Sequence, residues 1–569
     1  MNMTRNIRAI FIIGLLWTTS ASLAAPGLTA PVNTQQGPVI GLASGQVDQF
    51  FNVPFAAPPV RFAPPQPAVV RSGELHATGT PVECWRGPTA LTPEAKGQED
   101  CLMLHITRPV GAAAGANLPV MFWIHGGAFA IGSGGLYDPR ALVREGNVIV
   151  VTINYRVGPF GFLALDELQA ESPYAGNYGL ADQIAAMTWV KNNIASFGGN
   201  PNNVTLFGES AGAISAIIHL GSDRSRGLFH RVIAQSPALM IEQIIPPLVA
   251  AKNYGGEFAQ KLGCGAGDRL ACLRNLDPQI IASNAGFGTL LVLESGTRLP
   301  FAPVVDGWVV PRNPLDSLTQ GKIARVPVMI GTTRDEANLF VAIMEKELGH
   351  PVGLDDYTNF FLEGFKYPIE GALAAPAIQA LYPVWDFDWD YGLSLAQTLT
   401  DFTFSCPSLV MRRRLRPWVP VYGYEFEDPN SPTVLSFERE PLRGSNHADE
   451  IPYLFNSVTG IGVPVTFTSQ QNALAVQMRK YWTSFARHGH PNGMGGPNWP
   501  KFNDEYYTWI PLTLLWERRN EQIQRLHVDG VRTAYESPNP LSWSYSSNHK
   551  CGLLTLSTPL VRLLQPVLF

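Results

Sequence analysis

The 569-residue sequence lacks a strong charge of either sign, an internal repeat and any low-complexity tract. Its 41 basic and 46 acidic residues leave a net charge of −5, which argues against nucleic acid or an anionic membrane surface as a partner. The one long apolar stretch, from Ala9 to Trp17, is too short to span a membrane comfortably. The hydrophobic content of 46% is that of a globular chain with a large core.

Cysteine and glycosylation sites are also scarce. The six cysteines agree with an oxidising compartment, although six cysteines permit many pairings. Sequons for N-glycosylation occur only at Asn2 and Asn203, and the second lies in a predicted buried strand. A chain made for a glycosylating secretory pathway would more often carry surface sequons, so this scarcity favours bacterial export.

The N-terminus has the pattern of a signal peptide. Arg5 and Arg8 precede the apolar stretch, and a small-x-small cleavage site ends at Ala24. We therefore predict a signal peptide over residues 1–24 and a mature protein over 25–569 that is secreted or periplasmic, with no further membrane span. An uncleaved membrane anchor is the alternative.

Apolar β-branched runs alternate with helical patterns along most of the chain. This alternation predicts an α/β fold with a large, mostly parallel central sheet and helices on both faces. The main predicted strands cover residues 118–124, 147–153, 203–207, 232–235, 326–330 and 419–426, of which we expect the last to be the final major strand. Long helices are predicted over residues 180–197 and 470–488.

The motif Gly208-Glu209-Ser210-Ala211-Gly212 lies between the predicted strand 203–207 and a helical pattern that begins at Ala211. A Gly-x-Ser-x-Gly between strand and helix is the nucleophile elbow of hydrolases. Its glycines allow a turn tight enough to expose the serine hydroxyl above the sheet. In a glycine-rich chain the motif also arises by chance, so the surrounding residues must decide.

A serine nucleophile needs a base and an orienting acid, and hydrolases of this type place both on loops after later strands. Asp335 and Glu336 follow the strand that ends at Ile330, and the residues alone do not choose between them. His447 follows the strand 419–426 after a loop and is the best candidate for the base. The other downstream histidines that we considered are His488, His490, His527 and His549, none of which is predicted just beyond a core strand.

Backbone N–H groups that could stabilise an oxyanion are predicted at two places. His125-Gly126-Gly127-Ala128 follows the strand 118–124, and the missing side chains let the backbone approach a substrate. Ala211 begins the helix after the nucleophile, so its N–H gains from the helix dipole.

The stretch from about 340 to 405 is rich in aromatic residues and has no clean strand pattern. We interpret it as an inserted helical segment that covers the working edge of the sheet; ordinary helix packing is the alternative. Within it, Asp386 to Asp390 begins like a calcium loop, but Tyr391 and Gln397 replace the required Gly and Glu. We predict neither a metal site nor a cofactor.

These motifs together resemble the type B carboxylesterases, a family that includes cholinesterases and microbial esterases. The resemblance runs through most of the chain. Its residues are Glu99 to Leu102, His125 to Phe129, Asn154 to Arg156, Gly158 to Leu163, Gly208 to Gly212, Val305 to Gly307, Asp335-Glu336, His447 to Glu450, Tyr481-Trp482 and Pro491 to Gly493.

The resemblance implies an α/β-hydrolase fold and a catalytic triad of Ser210, Glu336 and His447, and so selects Glu336 over Asp335. The oxyanion hole that it implies comprises Gly126, Gly127 and Ala211. The disulfides that it supports are Cys84–Cys101 and Cys264–Cys272. A pair between Cys406 and Cys551 stays open, because Leu553-Leu554 replaces the aromatic pair that usually follows the last cysteine.

The predicted function is hydrolysis of small carboxylic esters through an acyl-enzyme on Ser210. Because His447 must be neutral to act as a base, we expect activity to decline below roughly pH 6 to 7. The alternatives are a non-catalytic adhesion protein of the same superfamily, and an amidase or lactonase with the same triad. The sequence leaves the acyl group, the alcohol group and the oligomeric state open.

Overall fold

The computed structural model of the protein describes eleven parts of the chain. They are residues 27–88, 93–238, 245–285, 299, 301–364, 379–432, 439–459, 462–506, 519–521, 523–527 and 530–534. The predicted signal peptide 1–24 and Cys551 lie outside them.

Strands form one large sheet and two small ones within these residues. The first nine strands are β1 (Gly27–Leu28), β2 (Val32–Thr34), β3 (Gly37–Ile40), β4 (Leu42–Ala43), β5 (Val47–Pro54), β6 (Leu75–His76), β7 (Met103–Pro109), β8 (Leu118–Ile124) and β9 (Ile149–Ile153). The others are β10 (Gly199–Glu209), β11 (Arg231–Gln235), β12 (Val328–Thr333), β13 (Val421–Glu427), β14 (Asp504–Tyr506), β15 (Arg519–Glu521), β16 (Ile523–His527) and β17 (Gly530–Ala534).

The large sheet has the order β1-β4-β5-β7-β9-β8-β10-β11-β12-β13-β16-β17. The strands from β9 to β16 in this order are all parallel, and antiparallel pairs flank them on both sides. The carboxyl ends of the parallel strands meet at one edge, so the loops after β8, β10, β12 and β13 lie near one another.

Helices cover both faces of this sheet. Those in the first half of the chain are α1 (Arg140–Gly146), α2 (Gly158–Phe162), α3 (Asp166–Glu171), α4 (Tyr178–Asn193), α5 (Ala211–Gly221), α6 (Leu248–Lys261), α7 (Arg269–Asn275) and α8 (Pro278–Asn284). The later ones are α9 (Pro314–Thr319), α10 (Asn338–Leu348), α11 (Leu354–Gly364), α12 (Tyr391–Leu399), α13 (Cys406–Leu415), α14 (Ile451–Leu454) and α15 (Ser469–His488).

β8 shows why the central strands have continuous apolar sequences. All seven of its residues are buried. Phe122 and Ile124 pack in one core with α4 and α5, whereas Met121 and Trp123 pack in a second core with α1 and α15. A strand covered on both faces needs apolar side chains at every position.

Several observed boundaries differ from the predicted ones. β12 begins at Val328 rather than at 326, so Pro327, which has no N–H to donate, stays outside the strand. The helix predicted over 180–197 is α4 followed by a 3₁₀ helix at Ile194–Phe197.

The prediction that β13 would be the final major strand was wrong. β16 pairs with it in parallel, from Tyr424 opposite Gln524 to Glu427 opposite His527. Only Ile523 and Leu526 are apolar in this short strand, so it lacks the continuous apolar signal of the others. His527 therefore does end a strand of the sheet.

The described part of the predicted cover segment, 340–405, is helical. It contains most of α10, all of α11 and α12, and a π-helix at Thr400–Ser405. Side chains from these helices form a third hydrophobic cluster, separate from the two cores on the sheet.

Candidate active site

Ser210 occupies the sharp turn between β10 and α5. Its φ of 54° and ψ of −122° form a strained conformation that residues other than glycine seldom adopt. Its N–H donates to the carbonyl of Gln235 over 2.9 Å, and its carbonyl accepts the N–H of Ile214 over 2.9 Å. The turn is therefore fixed to the next strand and to the helix that follows.

The two motif glycines allow the elbow to approach β8 closely. A Cβ at Gly212 would lie 2.0 Å from the carbonyl oxygen of Ile124, and one at Gly208 would lie 2.7 Å from the same atom. Both distances are too short for a real contact. The clash could not be relieved easily, because the obstructing oxygen belongs to the backbone. The spacing of the motif is thus a packing requirement of this turn.

Glu336 and His447 meet at the edge of the sheet beside β12. Oε2 of Glu336 lies 2.6 Å from Nδ1 of His447, and both side chains are buried. The N–H of Thr333, the last residue of β12, donates to Oε1 of Glu336 over 2.9 Å. This carboxylate is therefore held from one side while it orients the imidazole from the other.

Asp335, the alternative acid, has different partners. Its Oδ2 accepts the N–H of Ser445 over 2.9 Å and lies 2.7 Å from Nη2 of Arg334. Its own N–H donates to the carbonyl of Ser445 over 3.0 Å. Asp335 therefore ties the acid loop to the loop that carries His447, whereas Glu336 contacts the imidazole.

The second nitrogen of the imidazole faces Glu209. Oε1 of Glu209 lies 3.0 Å from Nε2 of His447, at ion-pair distance. Burial lowers the pKa of His447, but the charges of Glu209 and Glu336 outweigh it and raise that pKa well above its usual value. The structure thus places the imidazole between two buried carboxylates.

Gly126 lies against the nucleophile. A Cβ at this position would be 3.2 Å from Cβ of Ser210 and 2.6 Å from Oε2 of Glu209. Burial and the charge of Glu209 raise the pKa of the nearby phenol of Tyr137, whereas the backbone of Gly126 lowers it. Gly126 therefore brings its loop close to Ser210 and Glu209.

The backbone of the three residues after Gly126 is in the left-handed region, which leaves N–H groups exposed. Gly127, Ala128 and Phe129 have successive positive φ values of 103°, 51° and 60°. The N–H groups of Gly127 and Ala128 donate to no other group within the described residues. Ala211, in the first turn of α5, also carries an N–H without an intrahelical partner.

Comparison with known proteins identifies the family of this chain. The model of the carboxylesterase family matches residues 29–528. The chain belongs to this family. It is a carboxylic-ester hydrolase with an α/β-hydrolase fold, and its substrate is a small-molecule ester.

The carboxylesterase is similar over most of its length to several characterised enzymes. It is 35% identical over 498 residues to an acylcarnitine hydrolase of Mus musculus, with 82% of this chain and 83% of the relative covered. It is 34% identical over 508 residues to a cocaine esterase of Homo sapiens, with 83% of this chain and 86% of the relative covered. A solved PNB esterase superposes with a TM-score of 0.72 at 30% identity, covering 90% of this chain and 98% of the other.

Two aromatic rings from the predicted cover segment lie against the imidazole of this carboxylesterase. The ring centroid of Phe404 is 4.8 Å from that of His447, and the centroid of Phe340 is 5.1 Å away. The two phenyl rings stack on each other at 5.8 Å with an angle of 5°. The histidine is therefore bounded by carboxylates at its nitrogens and by phenyl rings beside it.

Both predicted disulfides are present in the esterase, Cys84–Cys101 and Cys264–Cys272. Cys406 is also disulfide-bonded, and its suggested partner Cys551 lies outside the described residues. No group of three or more metal-ligating side chains occurs in the described part of the chain. Among the same residues, no helix is both long and apolar enough to cross a membrane.

Sequence reasoning did not reveal three contacts at this site. The elbow motif places Glu209 before Ser210 but does not show that its carboxylate pairs with His447. Phe340 and Phe404 carried only the general signal of an aromatic-rich segment. Their contacts with the imidazole depend on folding together parts of the chain that are far apart, which no local pattern reveals.

Proposed function

We propose that the protein is an exported serine esterase that hydrolyses its substrate through an acyl-enzyme formed on Ser210. The observation that carries this proposal is the 2.6 Å contact between Glu336 and His447, beside the strained elbow that presents Ser210. A buried carboxylate on Nδ1 keeps a proton on that nitrogen, so Nε2 is the nitrogen that acts as the base once the imidazole is neutral.

The reaction proceeds in two similar halves. The hydroxyl of Ser210 attacks the ester carbonyl while Nε2 of His447 takes its proton, and Glu336 stabilises the imidazolium that forms. The imidazolium then protonates the alcohol as it leaves. Water, activated by His447, attacks the acyl-enzyme in the same way and releases the acid.

The oxyanion that forms in each half needs fixed N–H donors. The predicted donors are Gly126, Gly127 and Ala211. The free N–H groups of Gly127 and Ala128 support Gly127 and favour the addition of Ala128 to this set, and Gly126 lies against Ser210.

Replacement of the nucleophile is the first test. Ser210→Ala should abolish hydrolysis of p-nitrophenyl butyrate, because no other group then forms the acyl-enzyme. Ser222→Ala, which alters another buried serine at the end of α5, serves as the control and should retain activity. Full activity in Ser210→Ala would overturn the assignment.

Two further assays separate this function from its rivals. A fluorophosphonate probe should label the wild-type protein at Ser210, whereas a non-catalytic adhesion protein would not react. An ester and its matched amide, compared at equal concentration, should show a large preference for the ester. Equal rates for the two would indicate an amidase.

Export is proposed from the signal-peptide pattern and agrees with the disulfides, which persist in oxidising compartments. Expression of the full chain in a bacterial host should release a mature protein whose N-terminus is Ala25. Edman sequencing or intact mass measures this directly. A cytoplasmic protein that keeps residues 1–24 would contradict export.

A further inference from the structure

Gln235 lies at the point where the elbow meets the neighbouring strand. It is the last residue of β11 and pairs with Glu209 at the end of β10. Its carbonyl accepts the N–H of Ser210 over 2.9 Å, so it holds the backbone of the nucleophile directly. Its side chain is fully buried on the same edge of the sheet.

The side-chain amide of Gln235 joins two other elements. Its Oε1 accepts the indole N–H of Trp482 on α15 over 2.9 Å, and its Nε2 donates to Oε1 of Glu450 over 2.9 Å. An indole nitrogen can only donate, so it must face the amide oxygen. The orientation of the amide is thereby fixed, and the NH₂ group must face Glu450.

Glu450 belongs to the loop that carries the base. It lies three positions after His447 and directly precedes the short helix α14, without a capping hydrogen bond from its side chain. Its carboxyl group is buried, and burial together with the charge of Glu209 raises its pKa to about 8. Within the described residues Oε2 of Glu450 has no hydrogen-bond partner, so the bond from Gln235 is the one that holds this carboxyl group.

We propose that Gln235 is a positioning residue of the esterase: with its backbone carbonyl and its buried side-chain amide together it joins the loop of the nucleophile to the loop of the base. This inference rests on the proposed roles of Ser210 and His447. The backbone of Gln235 holds the first loop, and its side chain holds the second through Glu450. Trp482 prevents the amide from turning away.

The variant Gln235→Met tests this coupling, because methionine has the length of glutamine but cannot make either bond. Misplacing reacting groups by a fraction of an ångström to one ångström costs on the order of tenfold to a hundredfold in rate. We expect kcat for p-nitrophenyl butyrate to fall by about tenfold or more, with KM changed by less than about threefold. Rates are normalised to the sites that a fluorophosphonate labels at completion.

The paired exchange Gln235→Glu with Glu450→Gln tests whether the bonds, rather than the packing, matter. The new carboxylate can accept from both Trp482 and the new amide at position 450, so both bonds are kept: Trp482 still donates, and position 450 becomes the donor of the other bond. We expect this double variant to recover kcat to within about threefold of wild type. Failure to recover would overturn the coupling through hydrogen bonds.

A matched control removes a different buried amide. Gln471 is buried on α15 and donates to Asp428 over 2.8 Å and to the carbonyl of Asn430 over 2.9 Å. Gln471→Met should lower the melting temperature and leave kcat per labelled site unchanged. If Gln235→Met behaves in the same way, its role is structural only and the proposal is wrong.

The proposed function is tested separately by the wild type and by Ser210→Ala. An inactive wild-type protein that no probe labels would contradict the serine-esterase mechanism. An active wild type with an unaffected Gln235→Met would leave that mechanism intact and overturn only the role of Gln235.

Discussion

At the scale of single residues, Glu209 connects the nucleophile with the base. Its backbone ends β10 directly before Ser210, and its carboxylate lies 3.0 Å from Nε2 of His447. Nε2 is the atom that must take the proton of Ser210. A carboxylate at this position favours the imidazolium, so it helps proton transfer from serine but also keeps the resting histidine protonated to higher pH.

The sign of this effect determines the pH profile. Because Glu209 and Glu336 raise the pKa of His447, the neutral base persists only at higher pH than for an ordinary histidine. As the pH is lowered, activity should therefore begin to decline at a higher pH than the range of roughly 6 to 7 expected from the sequence.

Glu209→Gln should move the acid limb of kcat/KM for p-nitrophenyl butyrate to lower pH, because the neutral amide removes one of the charges that raise the pKa of His447. It should also lower the plateau, because the imidazolium loses a stabilising charge. Glu440→Gln, at an exposed ion pair with Arg443, is the control and should leave the profile unchanged. An acid limb that stays in place in Glu209→Gln would refute the electrostatic role.

At the scale of secondary-structure elements, the π-helix Thr400–Ser405 is the most informative departure from regular geometry. It joins α12 to α13 and carries Phe404. The hydroxyl of Thr400 accepts the N–H of Ala337, the residue after Glu336, over 3.0 Å. π-Helical turns are often found at functional sites, and this one carries an aromatic ring to the side of His447.

Phe404→Leu should reduce kcat with little change in KM, because the smaller side chain leaves space in which the imidazole can turn. We also expect a loss of about 1 to 2 kcal/mol in the free energy of unfolding from the poorer packing. Urea unfolding and steady-state kinetics measure the two effects separately.

The control for this variant is Phe301→Leu, at a phenyl ring that is equally buried and packs edge-on against Phe258. It should lose similar stability and keep kcat per labelled site. Equal kinetics for the two variants would show that Phe404 only fills space.

At the scale of the whole molecule, the parallel sheet and the positions proposed for the nucleophile and the base could be predicted because each has a strong local signal. β8 is apolar throughout, since both of its faces are covered. Ser210 and His447 were proposed from their motifs, their order and the strands before them, whereas only the resemblance to the family chose Glu336 over Asp335.

Other features had no such signal. The contact of Glu209 with His447 depends on the shape of two loops that are far apart in sequence. The π-helix depends on hydrogen-bond register, which apolar periodicity does not record. β16 is short and mostly polar, so its sequence did not predict a core strand.

The buried histidines link the fold to pH across the whole molecule. Burial lowers the pKa of His105 and His125 to about 4 and that of His219 to about 3. The unfolded chain takes up these protons near pH 6.5, whereas the folded chain does not. The free energy of unfolding should therefore fall as pH drops below about 6.5, by up to about 1.4 kcal/mol per pH unit for each histidine.

Glu450 acts in the opposite direction, because its raised pKa makes the folded chain hold a proton that the unfolded chain loses above about pH 4.5. A single-site variant is thus needed to isolate the contribution of one histidine to the pH dependence of the free energy of unfolding. His219 is the clearest choice: its ring lies 2.8 Å from Oε1 of Gln183 and 2.6 Å from the hydroxyl of Ser225, inside the helical layer away from Ser210.

His219→Gln should be less stable than wild type at pH 7, because its hydrogen bonds are disturbed, but its stability should depend less on pH. Between pH 7 and pH 5 the wild type should lose about 1 to 2 kcal/mol more than the variant, since only the wild-type unfolded chain gains this proton. Urea unfolding at both pH values gives the difference. His350→Gln, at a largely exposed histidine, should match the wild type, and a His219→Gln variant with the wild-type pH dependence would contradict the buried neutral state.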